Sequence, residues 1–355
     1  MRAIRGDRRL ELQLVVAGIH LLRRFGSTWR QIERDSWRID ARVPMQRGDD
    51  GPADQAYGLA RGVEGIARFL VDTRTDVVLV LGDRIEAMAG ALAGVTTGRI
   101  VAHIHGGDVA PGDFDDALRH AITKLAHVHL AATRGAARRI IRLGEDERRV
   151  HVVGAPGLDR LVELLEAEPP NRGRSGEALV VYHASGRSAE HEGRVMRAIL
   201  RAVRAAKLKR CISYPNTDRG HAGVVAAIEG HRERYGAESV RVWRSLPRDE
   251  YLRALIRADV LVGNSSSGMI EAPLAGTPVV NVGERQAGRE TSRAAVMQVG
   301  ETRSEVARGL TWALRKRLRP GGRTTYGDGR AGARIAEILA GLPRDAGFLK
   351  KVITY

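Results

Sequence analysis

The chain has 355 residues, enough for two domains with separate cores, and a formal net charge of +16. The excess comes from 52 arginines against 6 lysines, a skew that GC-rich codon usage explains. It lacks any Lys/Arg run interleaved with aromatics, which argues against a nucleic-acid partner while leaving room for an anionic small substrate. The single cysteine, Cys211 in the apolar run RCISYP, excludes a disulfide framework or cysteine-rich metal site; Glu11 and Gln13 break the run that a secretory leader needs, and no later stretch spans a bilayer, so a cytoplasmic protein without membrane contact is expected.

Short apolar runs alternate with amphipathic ones, the pattern of parallel strands joined by crossover helices. In chain order the strands are LQLVV, DVVLVLG, IVAHI, HVHLAA and VHVVG, then ALVVYH, CISYP, VRVW, DVLVG and PVVNV. Helical spacing of apolar residues covers Gln55 to Val71, Ala87 to Leu92, Asp116 to Leu125, Gly193 to Val203, Ala222 to Tyr235 and Glu250 to Ile256. Prolines and glycines in EPPNRGRSGE, Glu168 to Glu177, separate the two series. They predict an N-terminal α/β domain over 1–170, a C-terminal α/β domain over 171–340, and a tail over 341–355 returning toward the first. Ligands of open parallel sheets bind beyond the carboxyl ends of strands, and the distinctive polar residues fall there: Asp83, His105, His183, Asn216 and the serines after VLVG.

The first of these ends is VLGDRIEAMAG, where Asp83 reads alone as an N-cap, or opposite a cleft as a partner for a sugar hydroxyl or a proton-transfer group. The next is HIHGGDVAPGDFDDALRHAITKLAH, which admits three readings. His103, His105 and Asp108 form a candidate metal set; Asp113, Asp115 and Asp116 suit the start of a helix; and part of the string can serve as an acid/base site. His183, ending the first strand of the second series, is placed for a diphosphate or for the core.

GNSSSGMIEAPLAGTPVVNVGERQAGRE, Gly263 to Glu290, reads as a phosphate cradle that opens a helix. Its backbone N–H groups and the hydroxyls of Ser265, Ser266 and Ser267, ahead of Gly268, would face an anion; Glu271 would accept from a sugar hydroxyl, and Arg285 and Arg289 add positive charge.

Taken together and in this order, GDRIEAMAGA, HIHGGD with DDALRHAITKLAH, YPNTDRG and the Gly263 to Glu290 string resemble the hydrolysing UDP-N-acetylglucosamine 2-epimerases of sialic and related nonulosonic acid synthesis, from about Leu10 to the end. The resemblance implies an α/β fold of two Rossmann-like, doubly wound parallel-sheet domains facing across a cleft, the GT-B fold. It implies a UDP-sugar substrate, no metal or organic cofactor, and a homodimer or homotetramer. Its chemistry is anti elimination of UDP to a 2-acetamidoglycal, followed by hydration to N-acetylmannosamine or a related 2-epimerised amino sugar. Carried over, the catalytic residues are Asp83, His105, Asp108 and Asp115, and the nucleotide contacts are His183, Asn216, Asp218, Ser265, Ser266, Ser267, Gly268, Glu271, Arg285 and Arg289, with Glu271 on the ribose. Many relatives carry glutamate where this chain has His105 and Asp108.

The resemblance also implies an initial strand and loop ahead of LELQLVV. About 20 such residues are not present, so a sheet lacking its first strand is expected, with unpaired ladder groups on its neighbours. Three other readings stay open: a non-hydrolysing epimerase, a glycosyltransferase of the same fold, and a UDP-sugar-binding homologue without activity.

Overall fold

The computed structural model describes the chain except residues 24–25, 48–51, 110–114, 169–172, 217, 237, 245, 344, 346 and 355 and the side chain of Pro52. The expected helix-start acid Asp113 lies outside the described residues. The backbone sorts into two compact units, one of Met1–Gly154 with Arg330–Tyr355, the other of Ala155–Gly329.

In chain order the first part contains α1 (Arg2–Gly6), β1 (Val15–Ala17), α2 (Trp29–Arg34), β2 (Ala41–Val43), α3 (Pro52–Asp72), β3 (Val77–Leu81), α4 (Ile85–Thr96), β4 (Ile100–Ile104), α5 (Asp115–Leu125), β5 (Val128–Ala131), α6 (Arg134–Arg142) and β6 (Val150–Val152). The second unit contains α7 (Asp159–Ala167), β7 (Glu177–Val181), α8 (Ala189–Ala205), β8 (Lys209–Ser213), α9 (His221–Tyr235), β9 (Val240–Trp243), α10 (Arg248–Arg257), β10 (Val260–Gly263), α11 (Ser266–Ile270), α12 (Ala272–Ala275), β11 (Val279–Val282), β12 (Val296–Val299) and α13 (Arg303–Leu314). The chain then re-enters the first unit through α14 (Ala331–Ala340).

The second unit holds one six-stranded parallel sheet in the order β12-β11-β10-β7-β8-β9. Its central strands β7 and β10 are buried and apolar from Ala178 to Val181 and from Val260 to Val262, and α8, α9 and α13 cover one face. Ile199, Leu200, Ile228 and Leu310 there meet Val180, Ile212, Val262 and Val280 from the strands. Strand order reverses between β7 and β10, so the topological switch point, where open sheets take ligands, lies at their carboxyl ends.

The first unit holds a four-stranded parallel sheet, β3-β4-β5-β6, and a separate parallel pair, β1-β2. Val43, Ile66, Leu70, Ile85 and Ala89 close one part of its core. On another, Ile4 of α1 and Ile335 and Leu339 of α14 pack with Ile100, Ala102 and Ile104. The returning helix thus supplies part of the cover of this sheet. β3 reads VVLVL, an all-apolar strand, yet among the described residues β4 is its one hydrogen-bonded neighbour, and Leu81 is 58% exposed. β3 is thus an edge strand of its four-stranded sheet among the described residues.

The expected domain junctions at 170/171 and 340/341 lie later in the chain than the crossings at Gly154/Ala155 and Gly329/Arg330. The physical reason is α7, which packs on α10 and α12 of the second unit. Likewise α14 belongs with the first unit because it packs on α1. Cys211 is buried on β8, as its apolar setting suggests, and burial raises its thiol pKa. Among the described residues no helix is long and apolar enough to cross a membrane.

Candidate functional site

At the carboxyl ends of β3 and β4 the first unit gathers a buried cationic centre. Arg119 of α5 is 3% exposed, and its guanidinium bonds the carboxylates of Asp83 and Asp116 and, at 3.0 Å, the carbonyl of Asp108. A buried guanidinium needs such compensation, and its planar fork suits several oxygens at once. Asp83 is not an N-cap: Arg84 takes that position of α4, and the Asp83 carboxylate turns to Arg119 instead. Asp115 and Asp116 both lie in the first turn of α5, where the helix dipole favours acids; Asp116 faces Arg119 three residues on, and Asp115 is half-buried at the helix start.

His105 follows β4 in a left-handed conformation, φ 64°, rare for a residue with a side chain. Its Nδ1 lies 2.8 Å from Asp108 Oδ2, and both side chains are largely buried. Gly107 (φ 71°) completes the turn, since a Cβ there would overlap the carbonyl oxygen of Ala136. His103 does not share the site. It is fully buried and its Nε2 lies 2.8 Å from the carbonyl of Gly82. Among the described residues no group of three His, Cys, Asp or Glu side chains could hold a metal ion.

The second unit's cluster is centred on Asn264, 1% exposed, directly after β10. Its side-chain oxygen accepts from the His183 N–H at 2.7 Å, and its side-chain nitrogen donates to the His183 carbonyl at 2.8 Å. Asn264 therefore clamps the ends of β7 and β10 together at the switch point. Gly263 makes the approach possible: at φ 142° a Cβ would overlap the Val181 carbonyl. Gln286, from the basic loop, donates to the Asn264 carbonyl at 2.8 Å and ties that loop to the clamp.

The imidazole of His183 accepts at Nδ1 from the Asn216 N–H, 3.0 Å away, which puts the ring proton on Nε2. Burial, with the Arg285 charge second, lowers its pKa to about 4, so near neutral pH it is an uncharged N–H donor. Asn216 also donates to Asp218 at 2.6 Å, and Asp218 accepts from Arg285 at 3.3 Å, so these residues form one chain of contacts beside His183. Arg289 Nε is buried without a hydrogen-bond partner, an arrangement costly without an acceptor.

The serine turn differs from the expected cradle in its details. Helix starts at Ser266, breaks at Glu271 and resumes at Ala272. Ser265 is the N-cap, accepting from the Ser267 N–H, and the Ser266 hydroxyl has no hydrogen-bond partner among the described residues. Gly268 packs inward, where a Cβ would press on Val279 Cγ1 at 2.9 Å. The Ser267 hydroxyl donates to Glu271, and so does Arg248, which was not foreseen.

Residues 2–340 match the sequence profile of UDP-N-acetylglucosamine 2-epimerases. The chain belongs to this family. It is 32% identical to the UDP-N,N'-diacetylbacillosamine 2-epimerase (hydrolyzing) of Legionella pneumophila over 98% of this chain and 92% of that protein. It is 30% identical to a UDP-N-acetylglucosamine 2-epimerase of Neisseria meningitidis over 83% of this chain and 78% of that protein. Among solved structures it shares the fold of the UDP-GlcNAc 2-epimerase from Neisseria meningitidis bound to UDP-GlcNAc, with TM-score 0.75, 16% identity and coverage of 95% and 93%. The epimerase from Methanocaldococcus jannaschii is similar in the same way, with TM-score 0.71, 16% identity and coverage of 95% and 94%.

The buried histidines of this epimerase-family chain predict a pH dependence of stability. Burial, its largest cause, lowers the pKa of His103 to about 4, and the same holds for His127 and His231. An unfolded imidazole titrates near 6.5, so between about 6.5 and 4 the unfolded chain binds protons that the folded chain refuses, and stability falls as pH falls through that window. For fully buried His103 alone the loss is on the order of 3 kcal/mol. Urea midpoints measured from pH 7 to 4.5 should fall steadily, and more shallowly in His103→Gln; equal slopes would remove His103 as a cause.

Proposed function

We propose that the chain is a hydrolysing UDP-amino-sugar 2-epimerase, in which the second unit holds UDP and the first supplies acid and base. The observation that carries this is the Asn264–His183 clamp at the switch point, which sets a neutral histidine N–H, the Ser266 hydroxyl and the Arg285–Arg289 loop around one strand junction. The names of the family and the Legionella relative, and the UDP-GlcNAc bound in the Neisseria structure, support the substrate class. In this reading Glu271 accepts from the ribose, while His183, Asn216, Asp218, Ser265, Ser266, Gly268, Arg285 and Arg289 shape the diphosphate side.

In the reaction a base takes the proton from C2 of the sugar, the electron pair forms the C1–C2 double bond, and UDP leaves with the C1–O pair. Water then adds its oxygen to C1 while a proton returns to the opposite face of C2, releasing the free 2-epimer. His105 is the base in this proposal. An imidazole that donates Nδ1–H to Asp108 keeps its lone pair on Nε2, and Asp108 stabilises the imidazolium once the proton is taken. Asp83 and Asp115 hold sugar hydroxyls and the proton-return path.

The test is to incubate the protein with UDP-GlcNAc and with UDP-N,N'-diacetylbacillosamine in deuterated water, following UDP, free sugar and label at C2. Equal release of UDP and C2-labelled free sugar is expected. Epimerised nucleotide sugar without UDP release would overturn the hydrolysing reading. His105→Gln should lower kcat by about 10²-fold to 10⁴-fold while leaving UDP affinity unchanged. A raised Kd at wild-type kcat would make His105 a binding residue.

A further inference from the structure

Two residues at the start of α10 reach the serine turn, and no sequence motif pointed to either. Arg248 Nη2 bonds Glu271 Oε1 and also donates to the Gly157 carbonyl at 3.0 Å, so its head is fixed at two points. The Tyr251 hydroxyl donates to Ser267 Oγ at 2.7 Å, and the Ser267 hydroxyl in turn donates to Glu271 Oε2. Each oxygen of a carboxylate that is only 8% exposed as a residue is thus held from α10, one directly and one by relay. Among the described residues no other donor reaches either oxygen.

An ionised carboxylate accepts about four hydrogen bonds, so this arrangement leaves about one acceptor site on each oxygen. The vicinal hydroxyls of a ribose are a pair of donors that match it. Ser267 is consumed as the relay: its oxygen accepts from Tyr251 while its proton goes to Glu271, so it serves the carboxylate rather than an anion. Burial, with the Glu271 charge second, raises the Tyr251 pKa well above the ordinary phenol value and keeps that hydroxyl a donor.

We propose that Arg248 and Tyr251 are positioning residues for ribose recognition, orienting the Glu271 carboxylate so that its free acceptor sites meet the two ribose hydroxyls. This rests on the ribose assignment of Glu271 made above. The competing account is that α10 merely packs against α11 and α12. The two accounts differ in one readout, the ratio of affinities for UDP and 2′,3′-dideoxy-UDP, which lacks both hydroxyls. Lost packing weakens both ligands alike, whereas a misaimed carboxylate weakens only UDP.

The experiment is equilibrium titration of both ligands against the wild-type protein, Glu271→Gln, Arg248→Met and Tyr251→Phe. Tyr251→Phe removes one hydroxyl and keeps the ring, so its fold should persist. The expected result is a wild-type preference for UDP that Glu271→Gln removes and that Tyr251→Phe and Arg248→Met each lower about tenfold, the weight of one or two hydrogen bonds. If Glu271→Gln leaves the ratio unchanged, the ribose assignment itself fails. If Glu271→Gln lowers it but both α10 variants keep the wild-type ratio, or lose affinity for both ligands equally, the positioning role is overturned and the ribose assignment stands.

Discussion

Arg119→Met is expected to abolish measurable turnover and to lower the stability of the protein by about 3 kcal/mol, the low end for breaking a buried ion pair. Methionine keeps much of the apolar stem, so the change isolates the guanidinium. Its loss removes from Asp83 and Asp116 the buried head that both carboxylates contact. Both carboxylates keep roughly a quarter of their side-chain surface in solvent, 26% and 29%, which moderates the cost and places the estimate at that low end. Without the fork the two carboxylates lose the donors that fix their positions, so the set no longer holds its geometry. The Asp108 carbonyl loses its donor as well, freeing the turn that presents His105. Arg119→Lys supplies charge without the fork and should keep part of the stability but little of the activity. Urea denaturation and an initial-rate assay measure the two effects, and a variant with wild-type values of both would remove Arg119 from the site.

What made parts of this molecule legible in sequence was uniform chemistry along an element. β10 is VLVG, and β7 is apolar from Ala178 to Val181, with every one of these residues buried, so they read as strands without reference to neighbours; β11 did so despite Asn281 because its other three residues are buried valines. β2 and β12 did not read that way: they have three and four residues, and Arg42 and Gln298 interrupt them. β1 and β2 pair with one another and form a sheet separate from β3-β4-β5-β6. Polar residues at strand ends were legible as a set because a parallel sheet presents its carboxyl ends together, which is how Asp83, His105, His183 and Asn216 were found.

Their partners were not legible, for a physical reason. Arg119 sits mid-helix, where an arginine ordinarily belongs to a solvated face, and only Asp116 three residues before it hints at an inward turn. Arg248 reaches Glu271 from 23 residues earlier in the chain, a contact that local pattern cannot encode. The serine string suggested three equivalent donors. Instead Ser265 caps the helix, Ser267 supports Glu271, and among the described residues Ser266 is the one of the three whose hydroxyl has no partner.

Asn264→Ala and Asn264→Asp should separate the two duties of the clamp. Alanine removes both side-chain bonds to His183, leaving a buried N–H and a carbonyl without partners, each worth about 1–3 kcal/mol. A stability loss of about 3 kcal/mol is therefore expected. UDP binding should weaken at least tenfold, because His183 then swings free of the junction that aims its Nε2–H. Aspartate keeps an acceptor for the His183 N–H, but it sets a second carboxylate oxygen against the His183 carbonyl and a charge at a site 1% exposed, so it should cost at least as much stability as alanine. It also sets a negative charge about one strand spacing from where the diphosphate is proposed to lie, so it should cost more UDP affinity than alanine does. Uridine lacks the diphosphate and should bind the two variants alike. A clamp that only joined β7 to β10 would weaken UDP and uridine in the same proportion in both variants, whereas a loss confined to UDP in Asn264→Asp follows only if the strand junction carries the anion.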